Sequence, residues 1–154
     1  MLAIALFAAA VTMAAPCDVI STAEVERALG GAVVDVPAAE IGEETAPMCL
    51  WATAKRKAEI KLSLWSVDEL PVLGLSDASA YFVKLQAEAE AFGGAIAVTG
   101  LGERAFEAGF SPSRISRAAG QIVFLKAGRL AVVEFSNVRP GDARAIARAA
   151  AEQL

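Results

Sequence analysis

Few side chains in this sequence could do chemistry, and their types narrow what that chemistry could be. Histidine is absent. Its absence removes Ser-His-Asp triads, Cys-His dyads and imidazole metal sites together. A general acid or base would have to be a carboxylate, a lysine or Tyr81. Glu103, Glu107 and Glu134 are the carboxylates near expected strand ends. Two facing carboxylates could hydrolyse envelope sugars, but nothing in the spacing of these three pairs them. We therefore expect no catalytic residue and no enzyme activity, with a carboxylate-dependent envelope hydrolase as the alternative.

The remaining chemical candidates read mostly as structure. Glu40, Glu43 and Glu44 lie together in one loop. They lack the alternating oxygen ligands and the turn glycine of a calcium loop, so no metal site is expected. Thr99 to Phe106 contains a Gly-x-Gly-x-x-Ala pattern after a strand, which resembles half of a dinucleotide fingerprint. The pattern runs on into Gly109 and Pro112 instead of opening a helix in a βαβ unit, so it reads as a glycine turn and no cofactor is expected. Arg114 and Arg117, among serines, could hold a carboxylate or phosphate group. Trp51 and Trp65 could line a ligand groove, although strand aromatics usually serve the core. Lys55-Arg56-Lys57 marks a hairpin tip that could also meet an anion.

The elements that must position these residues centre on Gln121 to Asn137. Two apolar runs flank Lys126-Ala127-Gly128-Arg129, predicting a hairpin in which Gly128 closes a type I turn with a bulge. Ile122 to Leu125 is apolar throughout, so this strand is expected to be covered on both faces. Ala131, Val133 and Phe135 share one face of the partner strand, with Glu134 and Ser136 on the other. Further strands are expected at 32–36, 48–54, 58–66 and 95–98, with Arg104 to Glu107 at the sheet edge. Ser21 and Glu24 form a capping box, with Ile20 and Val25 as its hydrophobic staple, opening a helix that Gly30 and Gly31 end. A second helix begins at Ser76 or Asp77 and should bury Phe82, Leu85, Ala89 and Phe92. A third starts at Pro140 and packs through Ala143, Ile146, Ala147 and Ala150.

Composition fits one globular domain, with 56% hydrophobic and 21% charged residues in 154. A net charge of −4 argues against nucleic acid and against an anionic membrane surface. Residues 1–15 read as a signal peptide. Leu2 to Val11 is apolar but too short to span a bilayer, and Thr12-Met13-Ala14 offers a small-residue cleavage pattern. Residues 16–154 then form one α+β domain, periplasmic or secreted, with no stable transmembrane segment after cleavage. A lipid anchor at Cys17 is disfavoured, because Pro16 stands where a lipobox needs a small residue. Export and an even count predict a disulfide between Cys17 and Cys49.

The order of elements resembles the small exported proteins of the DUF3558 type, largely lipoproteins, and more distantly the Mog1/PsbP-like fold. The residues that carry the resemblance are Cys17, Ser21 to Gly30, Cys49-Leu50-Trp51, Gly100 to Phe106, Lys126 to Arg129 and Ala143 to Ala151. The resemblance implies an antiparallel sheet with helices packed against it, a Mog1/PsbP-like sandwich acting outside the cytoplasm, and no catalytic residue to transfer. The function expected is a noncatalytic binding or accessory domain of the cell envelope, its partner an unknown small molecule or envelope protein. A structural or inhibitory protein acting through a sheet edge is a further alternative.

Overall fold

The computed structural model describes residues 15–34, 36, 48–67, 70–74, 76–109 and 117–154. The signal-peptide residues, the acidic loop and Arg114 lie outside the described residues. Among those described, three helices pack on a seven-stranded antiparallel sheet, an α+β architecture. The helices are α1 (Thr22–Leu29), α2 (Ala78–Phe92) and α3 (Pro140–Gln153). The strands are β1 (Val33–Val34), β2 (Met48–Thr53), β3 (Glu59–Trp65), β4 (Ala95–Ala97), β5 (Arg104–Ala108), β6 (Ala118–Lys126) and β7 (Arg129–Val138). Their spatial order is β1-β2-β3-β7-β6-β5-β4.

The apolar run of β6 becomes a strand buried on both faces. Ile122 and Phe124 face the core that α1 and α3 cover, whereas Val123 and Leu125 face α2. The neighbouring β7 follows the expected alternation, with Ala131, Val133 and Phe135 on the α1/α3 side. The turn between them differs from expectation. Ala127 and Gly128 both have positive φ, 51° and 73°, and Lys126 pairs with Arg129. This is a two-residue type I′ turn, whose twist matches that of the flanking strands without a bulge.

Local signals set the helix ends. Ser21 Oγ accepts from Glu24 N, and Glu24 returns its carboxylate to Ser21 N, completing the capping box. Gly30, at φ 75°, ends α1. Asp77 caps α2 by accepting from Ala80 N at 2.7 Å. The small residues Ala143, Ala147 and Ala150 are fully buried and let α3 lie close on the sheet. The Cys17–Cys49 disulfide joins the segment before α1 to β2. With a sequence separation of 32 between the cysteines, chain entropy gives about 3 to 4 kcal/mol of stabilisation.

The glycine turn before β5 is structural. Gly102 has φ 63°, and a Cβ there would meet the Leu125 carbonyl oxygen at 2.2 Å. Only glycine lets this turn approach β6 so closely. Glu103 accepts from Ala127 N at 3.0 Å and fastens the turn to the hairpin tip. Two expectations are corrected here. Strand β4 lies outside β5, so Arg104 to Glu107 are one strand in from the edge. Phe92 is 92% exposed, because it is the last residue of α2 and borders open space instead of the core.

Glu107 is 5% exposed inside the sheet. Arg144 of α3 closes on it with two hydrogen bonds, at 2.7 and 2.5 Å, and these bonds raise the Arg144 pKa further. The Arg144→Ala variant leaves that carboxylate buried and unpaired, and should lower stability by about 3 kcal/mol in denaturant unfolding. Replacing both residues with leucine should recover most of the loss; a double-variant loss equal to the sum of the two single losses would mean that the pair is uncoupled. Glu24 tests the capping box. Its pKa is held below 4.5, first by the Ser21 hydroxyl and then by the Ser21 backbone N–H. A lowered folded-state pKa contributes stability that is complete above the unfolded value and is lost as pH falls through the folded one. Glu24→Gln should therefore be less stable than the parent at neutral pH, and the difference should begin to shrink as pH falls below about 4.3 and vanish below the lowered folded-state value. A gap that persists at low pH would place the effect outside the carboxylate.

Candidate functional site

Among the described residues, the α2 side of the sheet is only partly covered. Helix α2 is seated by Phe82, which meets Phe106 edge-on at 5.2 Å between centroids and carries the Arg104 guanidinium over its ring, 4.4 Å from the centroid. Tyr81 meets Trp65 edge-on at 5.3 Å. Toward its C-terminus the helix leaves a cleft of about 620 Å³ between itself and the sheet. Glu88, Ala89 and Phe92 form one wall, and Gly93 and Gly94 close that end. The floor is Ala108, Gly109, Gly120, Gln121 and Glu134.

The floor is bare backbone where β5 meets the start of β6. A Cβ on Gly120 would sit 2.7 Å from the Ala108 carbonyl oxygen, and one on Gly109 would sit 3.1 Å from Gly120 Cα. The pairing of β6 with β7 shifts register between Ala118 and Gly120. A shift of this kind bends the strand and opens the end of the sheet. Next to the cleft a recess of about 140 Å³ is lined by Ser63, Trp65, Tyr81, Leu85, Gln121, Val132 and Glu134. Gln121 and Glu134 line both spaces, so the two adjoin and together make up the groove beside α2.

Carboxylates Glu88 and Glu134, the Gln121 amide and apolar surface from Ala89, Phe92 and Ala108 make up the cleft wall. Glu134 forms an ion pair with Lys61, its partner across β3 and β7. Such a surface can accept hydrogen bonds from hydroxyl, amide or amino groups while ring or alkyl surface rests on Phe92. Among the described residues no three His, Cys, Asp or Glu side chains are placed to hold a metal ion.

The structure separates the residues singled out in the sequence. Trp65 lines the groove, and Trp51 lies on the opposite side of the sheet in the α1/α3 core. Arg117 is also elsewhere, donating to the carbonyls of Leu29 and Asn137. Glu103 fastens a turn, Glu107 is held by Arg144 and Glu134 faces the groove, so these three carboxylates share no cleft. Sequence reasoning missed Glu88, Gln121, Gly109 and Gly120. The signals for them were weak: a glycine on either side of a loop, and a polar residue opening an apolar run. Comparison with protein-family models, curated proteins and solved structures finds no match to this chain.

Proposed function

We propose that this chain is an exported, noncatalytic binding or accessory domain of the cell envelope that holds a small polar ligand in the groove beside α2. The adjacency of the cleft and the Trp65 recess, which share Gln121 and Glu134, carries the reading. It supplies an aromatic wall, an amide and a carboxylate around one space, as small-ligand sites require. The dispersal of Glu103, Glu107 and Glu134 supports binding over carboxylate catalysis. The ligand class favoured by the lining is uncharged or cationic, bearing hydroxyl, amide or amino groups, because Glu88 and Glu134 contribute the charged surface.

The disulfide supports an oxidising compartment, periplasmic or extracellular. Among the described residues no helix is long and apolar enough to cross a membrane. Kinship with the DUF3558-type proteins and the Mog1/PsbP-like fold remains part of this proposal, supported by the order of elements and the position of the cysteines. A second reading draws on the sheet edge. Strand β4 is the outermost strand and carries Ile96 at 61% exposure close in sequence to the exposed Phe92, a small apolar rim that a protein partner could extend by strand addition.

Native mass spectrometry of the mature protein, taken from its own host envelope, separates these readings. A bound small molecule that is lost in a Glu134→Ala, Gln121→Ala variant is the expected result. A bare protein, or one carrying a protein partner that an Ile96→Asp substitution releases, would overturn the groove in favour of the edge.

A further inference from the structure

A second concavity lies where three separate stretches of chain meet. It measures about 520 Å³ and shares no lining residue with the groove beside α2. Lys55 and Lys57 enter it from the turn between β2 and β3, and Arg117 from the residue before β6. Gly30, Gly31 and Asn137 complete the part that matters here. No Asp or Glu is among its described lining residues, although the chain has 18 acidic residues against 14 basic ones. The local charge therefore runs against that of the whole protein.

The cations are held in place by the fold. Arg117 Nη1 donates to the Leu29 carbonyl at 3.2 Å and to the Asn137 carbonyl at 2.9 Å. Its Nη2 lies 2.7 Å from where a Cβ on Gly30 would stand, so any side chain there would displace the guanidinium from this position. Capping the end of α1 accounts for Arg117 but not for the two lysines. Their turn is fixed in an unfavourable backbone. Lys55 and Arg56 have φ of 60° and 49°, and Asn137, at 55°, donates its side-chain N–H to the Lys57 carbonyl at 2.6 Å. Non-glycine residues in this region persist only when their surroundings hold them there. Within the tripeptide, Arg56 pairs with Glu59 at 3.2 Å. Lys55, Lys57 and Arg117 have no carboxylate partner among the described residues.

From this convergence we infer that the pocket between α1, the β2–β3 turn and the start of β6 binds a phosphate-class oxyanion, as free phosphate or a soluble phosphate ester. Three positive charges suit a multiply charged oxyanion, and a guanidinium already fixed by two carbonyls loses little freedom on binding one. A phosphorylated lipid headgroup offers the same chemistry, but the net charge of −4 opposes approach to an anionic bilayer.

The test is an amide NMR titration of the full chain with inorganic phosphate, against chloride at matched ionic strength. Saturable shifts at Gly30, Gly31 and residues 53–58 with phosphate alone are expected. A Lys55→Gln, Lys57→Gln variant should weaken binding by roughly ten-fold or more, since each lost charge-assisted bond matters at this scale. Arg56→Gln, which removes an equal charge from the same turn, should change affinity by no more than about two-fold. Chloride reproducing the shifts, or Arg56→Gln weakening binding as much as the lysine changes do, would overturn the site. Shifts seen only with phosphatidylglycerol vesicles would overturn the soluble-phosphate assignment in favour of a headgroup.

Discussion

The structure depends on a hairpin that must be buried on both sides. Ile122, Val123 and Phe124 of β6, with Leu130, Ala131 and Val133 of β7, have no measurable exposure. A sheet with one wet face could not accommodate them, so helices are needed above and below it. One side receives α1 and α3, fastened by the disulfide and by the Glu107–Arg144 pair. Among the described residues, the other receives α2 and Leu70 of the segment before it. A helix of 15 residues is about 22 Å long, while the 10 residues of β7 extend about 34 Å. A single helix leaves part of that face open.

What lies in the open part follows from this shortfall. Where α2 covers the sheet, Val123, Leu125, Leu130 and Val132 fill its α2-facing positions. Beyond the helix the same face carries Lys61, Gln121 and Glu134. The Lys61–Glu134 pair satisfies these charges across two neighbouring strands at the margin of the core. A groove therefore arises where apolar cover ends, with Trp65 and Tyr81 on its inner side and Phe92 standing free on its outer side. Gly109 and Gly120 deepen it, because neither brings a side chain into the space.

Features that rest on local chemistry were legible in the sequence. The capping box at Ser21 and Glu24, the stripe of α3 and the alternation of β7 each follow from a few adjacent residues. The pairing of Cys17 with Cys49 followed from there being only two cysteines. Features that rest on register or distant partners were not legible. Trp51 pairs opposite Ile60, and Trp65 stands five residues beyond Ile60 on the adjoining strand. An odd separation turns the two indoles to opposite faces, a fact that appears only once the β2–β3 register is known. The spacing of Phe92 matched the buried stripe of α2, but Phe92 is the last residue of the helix and stands on the open wall of the cleft. Glu107 read as a strand-end carboxylate because its partner, Arg144, lies 37 residues away. Arg117 and the lysines at 55 and 57 likewise meet only through the fold.

The claim that most needs testing is that the small polar ligand of the proposed function sits in the groove on the α2 side of the sheet. The two tryptophans stand on opposite faces and allow this to be read directly. Single-tryptophan proteins, Trp51→Phe and Trp65→Phe, would be titrated with small-molecule extract of the host envelope while their emission is followed. The account predicts a saturable change in the protein that retains Trp65 and none in the protein that retains Trp51. A change carried by Trp51, or the same change in both proteins, would contradict it.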